Sequence, residues 1–223
     1  MNENIALKAK LLDIYRLLRT RFGYRNWWPG NSPFEIVVGA VLTQNTNWAN
    51  VEKAIQNLNA ADVLEPARLL SLPVDELKRL VRPAGFYNQK AVRLRAVTRW
   101  WLDCGILIAP AKADVDALCS DLLKIDGIGF ETADCILLYA LRLPTFVIDA
   151  YTRRAAARIG ITAGEMRYEP LKRLFERCLP CDIDLYNDFH AQWVALGKTY
   201  CRKKPLCSEC PLGGICQFAK SKI

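Results

Sequence analysis

Apolar residues recur at helical spacing along the chain, and no stretch alternates apolar and polar residues for more than a few positions. A half-buried strand needs that two-residue period, so the pattern predicts an all-α protein with short connections. Ile5, Leu7, Leu11, Ile14, Leu17 and Leu18 place an amphipathic helix at the start. From Pro33 an apolar run reads as two helices meeting at the polar break Thr43-Gln44-Asn45-Thr46. Short helices follow over residues 62–81, with Asp62, Pro73 and Asp75 as start signals, and Pro83 and Gly85 close one helix before Asn88 opens the next. After a break at Pro110, helices are expected over 114–123, 150–160, 169–178 and 185–200. The last of these carries the single histidine, His190, read as a packing or capping residue.

Composition bounds the partners. At 223 residues the chain fits one large or two small domains, and its formal charge of +8 favours polyanions. Residues 1–18 mix charged and apolar positions and read as neither a signal peptide nor a membrane span, so a cytoplasmic, nucleoid-associated protein is expected, with no membrane partner. Nine cysteines in a reducing compartment are not expected to pair as disulfides. Four of them, Cys201, Cys207, Cys210 and Cys216, crowd into the last 23 residues with gaps of five, two and five. Four thiolates on one compact loop hold either zinc or an iron–sulfur cluster, and softness alone does not choose. A second pair, Cys178 and Cys181, reads as buried thiols.

The region with the most specific chemistry runs from Leu123 to Arg154. Gly127 and Gly129 sit one residue apart between two helices, which leaves backbone N–H groups unobstructed and suited to a phosphate. Asp149 is the one acid inside the oily run Phe146-Val147-Ile148-Asp149-Ala150. Its position before a helix also makes it a natural N-cap.

The pattern Leu-x-x-Ile-x-Gly-Ile-Gly-x-x-Thr-Ala, from Leu122 to Ala133, resembles the helix-hairpin-helix DNA-binding element. With Asp149 in Val-Ile-Asp-Ala-Tyr-Thr-Arg-Arg, the chain is similar over nearly its whole length to the helix-hairpin-helix DNA glycosylases of the endonuclease III superfamily. That resemblance implies a six-helix domain over 33–143 and a second helical domain formed by 1–32 plus 144–223, acting as a monomer on double-stranded DNA with a damaged base. The base is flipped out because its glycosidic bond is unreachable inside the stack. By the same resemblance Asp149 is the catalytic carboxylate. Gln44, Phe86 and Tyr151 match residues that fill the space the base leaves, and Gly127 and Gly129 grip phosphate. The four terminal cysteines match the family's [4Fe–4S] loop with one residue fewer in the first gap, zinc being the alternative, and Arg202, Lys203 and Lys204 lie where its basic loop meets DNA.

Two positions depart from better-known members. Bifunctional enzymes carry a lysine where this chain has Glu131, and a carboxylate cannot form the Schiff base that cuts the strand. Adenine glycosylases carry a glutamate where this chain has Gly39. The 3-methyladenine DNA glycosylase III branch resembles the chain further, in Trp27-Trp28-Pro29, Gly39 to Thr46, Val81 to Ala91 and Gly127 to Leu137, with Glu131 native to that branch. The resemblance implies a base pocket built from Trp27, Trp28, Trp48 and Glu131, whose electron-rich rings attract a cationic N-methylated purine. The best-known type of the branch lacks the cluster cysteines and has a lysine near Phe189-His190-Ala191-Gln192 that is absent here. The expectation is a monofunctional alkylpurine glycosylase. A pyrimidine glycosylase of the same fold and a non-catalytic DNA-binding protein are the alternatives.

Overall fold

The computed structural model describes residues 2–104 and 114–221; the break expected at Pro110 lies outside them. Among the described residues every regular element is helical, and no helix is long and apolar enough to cross a membrane. The chain divides into two compact units, one of residues 1–27 with 144–223 and one of 28–143.

The first unit contains α1 (Asn2–Phe22), α9 (Ala150–Ile159), α10 (Tyr168–Cys178), α11 (Ile183–Thr199) and α12 (Gln217–Lys220). Leu11, Ile14 and Leu18 of α1 are fully buried. Its centre is aromatic: Phe146 lies 4.8 Å from Phe175, and Phe189 stacks on Trp193 at 5.3 Å. The run Phe146-Val147-Ile148 passes through this cluster with no exposure at all. An extended buried segment with no strand beside it must find side-chain partners for its backbone donors. Glu176 Oε1 accepts from the Phe146 N–H at 2.9 Å, and the Tyr168 hydroxyl from the Ile148 N–H at 3.3 Å.

A buried carboxylate ties the start of the chain to α11. Asp188, fully buried, accepts from the Tyr15 hydroxyl and the Arg25 N–H, both at 2.9 Å, and from Gln192 Nε2 at 3.3 Å. Gln192 in turn donates to the Gly23 carbonyl at 2.7 Å.

The second unit contains α2 (Pro33–Leu42), α3 (Trp48–Ala60), α4 (Pro66–Ser71), α5 (Val74–Val81), α6 (Tyr87–Asp103), α7 (Val115–Leu123) and α8 (Phe130–Cys135), which runs on into a turn of π-helix at Ile136–Ala140. Helix α2 is buried on nearly all sides, because PFEIVVGAVL has no polar stripe to offer solvent. Ser32 caps it by accepting from the Glu35 N–H, with Pro33 at the first helical position.

Two sequence expectations change here. Asp62 does not start a helix. It takes the left-handed conformation just past α3 (φ 54°), which an aspartate tolerates, and Glu65 caps α4 instead. The Cys178/Cys181 pair is split: Cys178 ends α10 buried, but the chain turns extended at Leu179 and leaves Cys181 exposed.

Replacing Asp188 by alanine strips the buried acceptor from the Tyr15 hydroxyl and the Arg25 N–H. The expected loss, read by urea unfolding, is about 3 kcal/mol.

Candidate functional site

Asp149 is the N-cap of α9. Its Oδ1 accepts both the Thr152 N–H at 2.6 Å and the Thr152 hydroxyl at 2.7 Å. Its Oδ2 lies 3.8 Å from His190 Nε2, too long for a hydrogen bond and an ion pair only while the imidazole is protonated. Both side chains are buried. Burial pushes the Asp149 carboxyl up, but the facing imidazole and the two Thr152 hydrogen bonds outweigh it and hold the group below the ordinary carboxylate range. The carboxylate is thus fixed in place and kept ionised. In sequence His190 reads as a packing or capping residue. Nothing in the chain around it pointed to Asp149, since the two are brought together by the packing of α9 against α11.

Tyr151, half-buried, rests its ring over Gly197 of α11, where any side chain would collide with it, and under the Arg154 guanidinium at 5.3 Å.

The hairpin joins α7 to α8 through residues 124–129. Gly127 has φ 77°, a left-handed conformation, and the space a Cβ would need is filled by the Arg93 guanidinium. Gly129 caps α8 and has no protein atom within 4 Å of where a Cβ would stand. Gln44, in the turn after α2, is tied to this hairpin. Its Nε2 donates to the Gly127 carbonyl at 3.0 Å and to Thr132 Oγ1 at 2.9 Å, and Arg93 Nη1 donates to its Oε1 at 2.9 Å. Arg93 was not singled out in the sequence, where it is one of many cations. Glu131 is exposed in the first turn of α8.

Phe86 stands at the head of α6 with φ 47° and 62% exposure. A large apolar residue that is both in the left-handed region and in solvent is costly twice over, the usual mark of a side chain placed for contact with something else.

Trp27 and Trp28 lie half-buried in the loop ahead of α2. Trp28 meets Trp48 edge-on at 5.4 Å and Tyr139 at 5.4 Å, so these three rings form one aromatic group. Trp48 Nε1 donates to Glu52 at 2.7 Å. Tyr139, from the π-turn, was invisible in the sequence as a member because it sits in a uniformly oily run. A Cβ on Gly39 would stand 3.2 Å from Trp28 Nε1, so the indole takes the room a larger residue at 39 would need.

Cys201, Cys207, Cys210 and Cys216 line one cavity whose other walls are largely apolar, among them Leu196, Leu206 and Leu212. Burial pushes the Cys210 thiol up, with the three neighbouring thiols adding to it. Among the described residues no three cysteine, histidine, aspartate or glutamate side chains converge as they would around a metal ion. The loop is stitched to α9: Arg154 Nε donates to the Cys201 carbonyl at 2.8 Å, and Arg158 to the Arg202 and Lys203 carbonyls at 2.6 and 3.2 Å. Arg202, Lys203 and Lys204 are exposed.

Helical hairpin and capping aspartate together define a class. The HhH-GPD superfamily of base excision DNA repair proteins matches residues 38–181, and the chain belongs to that superfamily. A protein of Methanocaldococcus jannaschii provisionally named as a DNA repair glycosylase is 48% identical over 209 residues, covering 92% of this chain and 95% of its own. Endonuclease III of Escherichia coli is 26% identical over 224 residues, covering 97% and 98%. Among solved structures, a non-covalent endonuclease III–DNA complex superposes with a TM-score of 0.77 at 20% identity, over 96% of this chain and 97% of that one, which shows the shared fold. The 3-methyladenine DNA glycosylase (MagIII) of H. pylori, bound to 1,N6-ethenoadenine, gives 0.69 at 29% identity over 86% and 97%.

Asp149→Asn keeps a capping side chain but loses the charge, so it is expected to be less stable than wild type at neutral pH, and Asp149→Ala loses the cap as well, a further cost of about 1 kcal/mol. Because the folded carboxyl lies below its ordinary value of 3.8, its stabilisation is complete above that pH and is lost as pH falls further. Stability–pH curves of wild type and Asp149→Asn therefore converge below that point, as acid titrations followed by circular dichroism will show.

Proposed function

We propose that this base excision repair DNA glycosylase hydrolyses the N-glycosidic bond of an alkylated purine such as 3-methyladenine and leaves the strand uncut. The observation that carries the reading is the aromatic group of Trp28, Trp48 and Tyr139, with Trp28 occupying the room beside Gly39. An N-alkylated purine nucleoside is cationic, and ring faces attract a cation. Such a base leaves neutral, so departure needs no general acid. What it needs is a group that stabilises positive charge on the sugar and orients water toward C1′. Asp149, ionised and immobilised by Thr152, supplies that. Trp27 and Glu131 complete the proposed pocket, and Glu131 in place of a lysine leaves no amine to form an imine there.

The remaining residues serve DNA. The hairpin glycines, with Gly129 opening onto free space, suit a backbone phosphate. Phe86 and Gln44 are the groups that enter the duplex, Tyr151 stands beside the capping aspartate, and Arg202, Lys203 and Lys204 present charge to phosphate. The four cysteines fit a [4Fe–4S] cluster by donor set and by their shared, largely apolar cavity. When bound, the cluster would hold the loop's two ends together. Zinc is the other metal such thiolates take.

Duplexes with single lesions, scored with and without alkali, test the reaction. Free 3-methyladenine is expected from methylated DNA, lost in Asp149→Asn, with strand breaks only after alkali. Breaks without alkali overturn the monofunctional reading, and activity confined to damaged pyrimidines favours the alternative of the endonuclease III type. For the metal, anaerobically purified protein is expected to be brown and to contain iron; a colourless protein holding one zinc refutes the cluster.

A further inference from the structure

Lys90, in the first turns of α6, is 1% exposed and among the largest fully buried side chains of the molecule. Its ammonium donates to two carbonyls from different parts of the chain, Leu42 at 2.9 Å and Ala84 at 2.8 Å. Leu42 ends α2, two residues before Gln44; Ala84 ends a short 3-10 turn, two residues before Phe86. In sequence Lys90 reads as a cation flanking the Phe86-Tyr87 tip, yet here it points inward and joins that tip to the other.

Each tip holds a non-glycine residue in the left-handed region, Asn45 at φ 54° and Phe86 at φ 47°. An asparagine tolerates that region, but a phenylalanine persists there only where the surroundings over-determine it. Lys90 supplies a restraint to both. Its main-chain N–H also donates to the Phe86 carbonyl at 3.0 Å, so Phe86 is held from both sides of its own turn. Burial, and the charge of Arg93 one turn on, push the Lys90 ammonium down to about 8. A buried cation of this kind is poor value as a stabiliser, since an apolar residue of the same volume would avoid the desolvation. What it provides is a defined geometry: one point from which two carbonyls are set at hydrogen-bond distance.

We propose that Lys90 is a positioning residue, whose buried ammonium sets the Gln44 and Phe86 tips at a fixed spacing so that both enter DNA together. The proposal rests on the reading of Gln44 and Phe86 as the groups that enter the duplex. Its effect falls on DNA distortion rather than on the bond-breaking step, because the groups its ammonium holds are the Leu42 and Ala84 carbonyls beside the two tips.

The test uses the full chain and a duplex carrying a stable abasic analogue beside 2-aminopurine, whose fluorescence rises when the stack is opened. No lesion base is needed, so the readout is independent of substrate identity. Lys90→Met is compared with Leu171→Ala, a fully buried core residue of the other unit, which controls for lost stability at a temperature where both remain folded by circular dichroism. Lys90→Met is expected to lower the fluorescence rise and weaken binding about tenfold, and to speed amide exchange at residues 43–46 and 84–87 about tenfold, with Leu171→Ala unchanged in both. Lys90→Gln, which keeps one amide donor, is expected to fall between, and it carries the same comparison if Lys90→Met does not fold. Wild-type fluorescence and exchange in a folded Lys90 variant overturn the proposal. If wild type itself opens no stack, the DNA-entering roles of Gln44 and Phe86 fall, while the exchange measurement still decides whether Lys90 holds the tips.

Discussion

Both hydrogen bonds of Thr152 converge on one oxygen of Asp149, and that choice fixes the carboxylate. With Oδ1 engaged by the N–H at 2.6 Å and the hydroxyl at 2.7 Å, the carboxylate cannot rotate without losing the helix cap. Upstream, Phe146, Val147 and Ile148 are completely buried, so the residue enters its cap from a rigid approach. Behind it His190 faces Oδ2 at 3.8 Å. The result is a buried carboxylate that stays ionised: the burial that should neutralise it is offset by the facing imidazole and the two Thr152 hydrogen bonds.

Other parts of the structure are likewise fixed by side-chain donors. Gln44 is held through both ends of its amide, by the hairpin on one side and Arg93 on the other. Gly127 is needed twice at one position, for its positive φ and for the guanidinium that lies against it. The cysteine loop has little core of its own, so Arg154 and Arg158 anchor its carbonyls to α9, the helix that Asp149 caps. One short helix therefore carries the aspartate at its start and steadies the cysteines toward its end.

Much of this was legible in the chain. Helical spacing located the helices, with errors confined to local signals such as Asp62, where a residue suited to capping served a left-handed turn instead. The hairpin glycines stood out by their spacing between two helices, and Asp149 because it breaks an otherwise apolar run. The partners did not stand out. His190, Arg93, Lys90 and Tyr139 are ordinary residues on helices, and each gains its meaning from a neighbour far away in sequence: Lys90 Nζ, for instance, reaches Leu42 across 48 positions. No local pattern encodes such a meeting. Cys181 shows the reverse, a motif suggestive in sequence whose second member the fold leaves in solvent.

The sequence by itself determined an all-helical chain, its glycine hairpin, its capping aspartate and the grouping of its last four cysteines. These are consequences of periodicity, backbone freedom and spacing, all local properties. Only the tertiary structure decided that Asp149 is faced by a histidine, that Trp28 fills the room beside Gly39, and that one buried lysine holds two exposed tips. Those are contacts between distant segments, and they exist only once the helices have packed.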